Sequence, residues 1–271
     1  MNEKVTPMIH VPDVRATVDW YRDIGFEVVA TYGNEGDGLS FAMVRWGKTE
    51  VMFNEGGKPS TERRREVDLY VYTDNLDDVY QRLKDRVEIV AQPNETFYGM
   101  REFIIRDCNR FWITFGQQTP YGRLMDALRE RSATSVRSAI ESGGLSAETL
   151  TAALAVELSA DQPNETILGL LKQAGAVMPL KLEERDLILR TGTYRNDKGM
   201  GVQITLENGV LIATPTGQQP IRLLAIDQNT FRPIALDGVR ITFIIEADKT
   251  VALALKIGSH ITELRRAKSE S

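Results

Sequence analysis

Two histidines, one cysteine and a scatter of carboxylates are what this chain of 271 residues offers for chemistry. His10 and His260 lie far apart, and Cys108 has no histidine beside it, so neither a Cys–His nucleophile pair nor a cysteine metal cluster is indicated. A single cysteine also excludes an intrachain disulfide and points to a reducing cytoplasm. The more suggestive set is His10, Asn54, Asp68, Tyr70, Tyr72 and Trp112, each set within a short alternation of apolar and polar residues. Such side chains stack on a small molecule and orient it by hydrogen bonds. Whether they meet depends on the elements that carry them.

Those elements repeat. Residues 1–120 match themselves at an offset of 61, which sets Asp13 on Asp74, Val28 on Ile89, Gly38 on Gly99 and Val51-Met52 on Trp112-Ile113. Each copy reads strand, helix, three strands. The first places strands at 5–11, 26–32, 39–46 and 49–54 around a helix at 13–24, with Asp13 as its N-cap. The second places strands at 67–73, 87–92, 100–106 and 111–116 around a helix at 76–86. Gly-rich stretches, GNEGDG at 33–38 and NEGG at 54–57, read as turns; they lack the strand–loop–helix context of a phosphate cradle. The expected class is α+β, built from paired βαβββ modules.

Strand parity separates the faces, because alternate residues point to opposite sides of a sheet. Val5, Ile9 and Val11 share one parity with Val51, Phe53, Val67, Leu69, Val71, Phe111, Ile113 and Phe115: an apolar face for packing under helices. The opposite parity carries Thr6, Met8, His10, Glu50, Met52, Asn54, Asp68, Tyr70, Tyr72, Trp112 and Thr114. Two tyrosines, a tryptophan and scattered polar groups read as the lining of a ligand cavity.

These segments (8–29, MIHVPDVRATVDWYRDIGFEVV; 67–83, VDLYVYTDNLDDVYQRL; 101–117, REFIIRDCNRFWITFGQ) resemble the vicinal oxygen chelate superfamily. It comprises glyoxalase I, extradiol dioxygenases, fosfomycin-resistance enzymes and bleomycin-resistance proteins. The resemblance covers about residues 4–118. It implies metal-ligand positions at Thr6, Met52, Asp68 and Thr114, of which only Asp68 is a good ligand. A displaced His10/Glu50/Asp68 site, serving a metal-dependent lyase or dioxygenase, is the alternative. A protein-interaction module is the third reading. The resemblance favours the metal-free, cofactor-free bleomycin-resistance branch: a protein without catalytic residues that sequesters an aromatic or cationic ligand in a cleft completed by a homodimer. His10, Asn54, Asp68, Tyr70, Tyr72 and Trp112 are then the binding residues.

Beyond Pro120 the pattern becomes helical. Amphipathic stretches run over 124–144, 146–160 and 164–176, with Ser146 and Asn164 as N-caps and Gly143 and Gly175 as stops. From Gly192 about seven short strands follow, with Asn208-Gly209 and Ala247–Lys249 as hairpin turns. They predict a small antiparallel barrel and resemble a lipocalin-like accessory domain. Expected domains are 1–119, 120–179 and 180–271. Arg63-Arg64-Arg65 reads as a solvated linker between the repeats.

Composition restricts the function classes. Apolar residues are 42% and charged residues 26%, which excludes disorder. Lys+Arg 33 against Asp+Glu 38 gives −5. All the acid excess falls in the first 120 residues, 20 acidic against 15 basic. Neither part is a basic surface, so nucleic acid and anionic membrane are not expected partners. No apolar run nears the roughly 20 residues of a membrane span, and MNEKVTPMIH lacks the pattern of a signal peptide.

Overall fold

Each half of the predicted repeat closes a sheet of its own. The structure is a computed structural model and describes residues 5–33, 38–63, 65–234 and 236–267. The first module consists of β1 (Met8–His10), α1 (Val14–Asp23), β2 (Glu27–Tyr32), β3 (Phe41–Trp46) and β4 (Thr49–Asn54), in sheet order β1-β4-β3-β2. The second consists of β5 (Asp68–Tyr72), α2 (Leu76–Leu83), β6 (Glu88–Glu95), β7 (Met100–Arg106) and β8 (Trp112–Gln118), in order β5-β8-β7-β6. In each sheet the first strand runs parallel to the last. Met8 stands opposite Met52 and His10 opposite Asn54; Asp68 stands opposite Trp112 and Tyr70 opposite Thr114.

The helices start where short polar side chains catch free backbone donors. Asp13 accepts from Ala16 N at 2.9 Å, and Asn75 from Asp78 N at 3.4 Å. Helix-facing residues of both modules then share one core, with Val14, Val18 and Tyr21 of α1 and Leu76, Val79 and Leu83 of α2 packed on Ile9, Val44, Phe53, Phe103, Ile113 and Phe115. Trp46 meets Phe115 edge-on at 5.4 Å between ring centroids, so the two sheets are joined by aromatic packing as well as by the chain.

The structure corrects the uniform offset of 61. It holds from β3 to β7, where buried Ala42 and Val44 correspond to buried Phe103 and Ile105. It fails by one at the helix caps, Asp13 and Asn75, and between Phe53 and Phe115, the partners of Ile9 and Val71. The second module is one residue shorter between its cap and β7. It regains that residue in the turn 107–111, where the first module turns on Gly47 and Lys48 alone. At a strand period of two a one-residue slip exchanges the faces, so Val51 corresponds to Ile113 and not to Trp112. β1 is also shorter than expected, and Val5 and Val67 lie outside the strands and are exposed.

A second compact unit comprises Glu95–Met100 and the chain from Gln118 onward. Its helices are α3 (Pro120–Arg129), α4 (Ala133–Glu141), α5 (Ala147–Leu158), α6 (Glu165–Gln173) and α7 (Glu184–Ile188). The single helix expected over 124–144 is two: Arg131 takes φ 54, and Ser132 caps α4 by accepting from Ser135 N at 3.1 Å. Helix α5 is buried on opposite sides. Leu150, Ala153 and Leu154 join α3, α4 and α6, whereas Ala152 and Ala155 pack on Leu224 and Ile234. A helix apolar all round needs such enclosure.

Eight strands, not seven, close an antiparallel barrel: β9 (Gly192–Arg195), β10 (Gly201–Glu207), β11 (Val210–Pro215), β12 (Ile221–Ala225), β13 (Thr230–Pro233), β14 (Val239–Glu246), β15 (Lys249–Ile257) and β16 (His260–Arg266). Both expected hairpin turns form with left-handed pairs, Asn208-Gly209 and Ala247-Asp248. The interior is filled by Tyr194, Phe231, Phe243, Leu253 and Leu264. Fully buried Arg232 pairs with Glu148 of α5 at 3.1 Å and with Asp237 at 3.2 Å. Among the described residues no helix is long and apolar enough to cross a membrane.

Candidate functional site

Because the helix-facing sides of both sheets go into the core, the alternate residues are left outside it. On the second sheet Tyr72 is 70% and Tyr70 is 42% exposed, with ring centroids 4.8 Å apart. The Tyr70 hydroxyl donates to Glu102 Oε1 on β7 at 2.5 Å, and Glu102 is buried. Gly116 on β8 makes room for this ring: a Cβ there would sit 2.1 Å from the Tyr70 hydroxyl oxygen. Asp68 is exposed at the end of the same strand, opposite half-buried Trp112. The Trp112 indole donates to Arg63 O at 3.3 Å, so the segment joining the modules partly covers that ring. Arg65 lies over the Phe111 ring, 4.3 Å from its centroid; the linker packs on β8 rather than standing free in solvent. Arg64 and residues 34–37 of the first Gly-rich stretch lie outside the described residues.

On the first sheet His10 Nδ1 is 2.9 Å from Glu55 O, and Asn54 is its strand partner. The chain passes close over His10: a Cβ on Gly57 would stand 2.3 Å from His10 O. The six residues singled out by sequence therefore fall into two groups, His10 with Asn54 on one sheet and Asp68, Tyr70, Tyr72 and Trp112 on the other. Glu102 and Gly116 were not foreseen. Extending the parity reading to β7, where Phe103 and Ile105 are buried, puts Glu102 on the face of Tyr70.

The donor set does not suit a catalytic metal. At the implied positions Met52 faces Met8 across the ladder and Thr114 faces Tyr70. Among the described residues no three His, Cys, Asp or Glu side chains come together at a spacing that holds an ion. Nucleophilic chemistry fares no better. Burial and the Asp107 carboxylate push the Cys108 thiol up to about 12, although the residue reaches the surface. Such a thiol is not a thiolate near neutrality. What the face offers is aromatic area backed by carboxylates.

Residues 5–115 match the family model described as the Glyoxalase/Bleomycin resistance protein/Dioxygenase superfamily. No curated protein matches the chain. Among solved structures, TioX from Micromonospora sp. ML1 is 20% identical, with 42% of this chain and 99% of that one covered and a TM-score of 0.35. FosX, a fosfomycin resistance protein from Listeria monocytogenes, is 15% identical over 44% and 95%, with a TM-score of 0.37. TnmS3, an antibiotic binding protein from Streptomyces sp. CB03234, is 21% identical over 44% and 99%, with a TM-score of 0.34. Residues 5–115, which carry the two βαβββ sheets and their shared core, are thus the part of the chain that matches the glyoxalase/bleomycin resistance/dioxygenase superfamily.

Proposed function

We propose that the first 120 residues form a metal-free binding module that holds a small aromatic or cationic molecule against the sheet face carrying Tyr70, Tyr72, Trp112 and Asp68, with His10 and Asn54 on the companion sheet. The observation that carries this reading is the exposed Tyr70–Tyr72 pair with the buried Glu102 carboxylate behind it. Ring faces attract cations, and a carboxylate hydrogen-bonded to one phenol adds negative potential on the same side. The family supports small-molecule binding as the class of function.

A flat, half-exposed face encloses little of a ligand, whereas binding sites bury most of theirs. The reading therefore includes a second copy, related by a two-fold axis, whose own sheet closes the cleft. An aromatic dye with a fixed positive charge, ethidium, is a suitable probe. Saturable quenching of Trp112 fluorescence is expected, together with a dimeric mass by light scattering at micromolar concentration. A monomer that fails to bind ethidium while remaining folded contradicts both parts of the reading.

A further inference from the structure

The second unit holds a cavity that the sheet-face reading leaves unused. It is about 410 Å³, within the range of small-molecule sites, and it opens in the barrel wall between β11 and β12. These neighbours pair at Ile212 with Arg222 and at Ala213 with Ile221, and there the ladder stops. Both strands continue past that point, β11 back to Val210 and β12 on to Ala225, so they splay apart. The slit between them is lined by Val210 and Leu211 on one side and Leu223, Leu224 and Ala225 on the other.

On its inner side the cavity is bounded by Leu187, Leu211, Leu223 and Phe231, which belong to the barrel core. Its other side is formed by the end of α5 at Leu158 and by residues 179–182. Leu158 and Leu180, which flank it, are 37% and 47% exposed. The charged residues among its lining are Lys181 and Arg222, both at the surface. An apolar slot with two cations at its rim and no carboxylate in its lining has the complementarity of a chain with one anionic end.

We propose that the slit between β11 and β12 binds a single-chain amphipathic anion, a fatty carboxylate, with the alkyl chain between Leu158, Leu180, Leu211 and Leu223 and the carboxylate at Lys181 and Arg222. This inference is independent of the ligand held by the first module.

The test uses the full chain and cis-parinaric acid, whose fluorescence rises in an apolar site, with dodecanoate and dodecanol as competitors. The expected result is one saturable site per chain. The exposed double variant Lys181→Glu/Arg222→Glu should weaken dodecanoate about tenfold, the scale of two surface charge contacts, and leave dodecanol nearly unchanged. Val210→Trp, which fills the slit, should lose both competitors, while Tyr72→Ala should leave both as they were. Absence of saturable binding by the folded protein overturns the proposal. So does binding that neither the charge reversal nor the filling variant alters, and so does binding lost on Tyr72→Ala.

Discussion

The Tyr21 hydroxyl donates to Asp107 Oδ2 at 3.0 Å across 86 residues of sequence. It ties the helix of the first module to the turn of the second. The same carboxyl accepts from Phe111 N at 2.7 Å and Asn109 N at 2.9 Å. Close by, Asn109 Nδ2 donates to Thr17 Oγ1 of α1 at 2.9 Å. The extra turn residue that disturbs the repeat thus belongs to the contact that holds the modules together.

Burial outweighs these hydrogen bonds and raises the Asp107 pKa from 3.8 to about 6. Between those values the folded protein binds the proton more readily than the unfolded chain. The contribution to stability is therefore fully present below about pH 4 and is lost as pH rises through 6. The loss amounts to about 2–3 kcal/mol. Urea midpoints of the natural protein and Asp107→Asn, measured from pH 4 to 7.5, should show a difference that shifts in favour of the asparagine variant across this window. A difference independent of pH would contradict the assignment.

Tyr21 is fully buried, and its own pKa is raised well above 10, first by burial and then by the Asp107 charge. Tyr21→Phe removes a donor from a buried carboxyl and should cost about 1–3 kcal/mol. Because the modules keep one shared core and the Asn109–Thr17 hydrogen bond, they should still unfold in one transition. Two separated transitions, seen by Trp fluorescence and far-ultraviolet circular dichroism, would show that the modules are independent.

Tyr72 and Tyr70 should respond differently to truncation. Tyr72→Ala removes an exposed ring and should change stability by less than about 0.5 kcal/mol while weakening ethidium binding. Tyr70→Phe takes the donor from buried Glu102 and should destabilise by about 1–3 kcal/mol. Gly116→Ala drives a methyl into the Tyr70 hydroxyl and should lower both the thermal midpoint and ethidium binding. Equal stability losses at Tyr70 and Tyr72 would mean that the Glu102 contact contributes nothing.

Metal removal is expected to change nothing at the sheet face. With Met52, Thr114 and Thr6 at the implied positions, protein prepared without chelator should carry well under one transition metal per chain by elemental analysis. Ethidium binding should persist in EDTA. A stoichiometric metal lost on His10→Ala or Asp68→Ala would restore the displaced-site reading.

Periodicity by itself determined the element types, the βαβββ duplication and the buried face, because period-two and period-3.6 patterns record local burial directly. Asp13, Asn208 and Gly209 likewise announced their cap and turn through chemistry local to a few residues. Tertiary structure alone decided the rest. The one-residue slip between modules is invisible where identity is low, since it is set by how Asp107 organises its turn against α1. The pairing of Tyr70 with Glu102 needs the order β5-β8-β7, and sheet order is a long-range property. The break at Arg131 arises because the Ser132 cap competes with a continuous helix. The slit at β11–β12 exists because a ladder stops while its strands run on, and no spacing of residues encodes where two strands part.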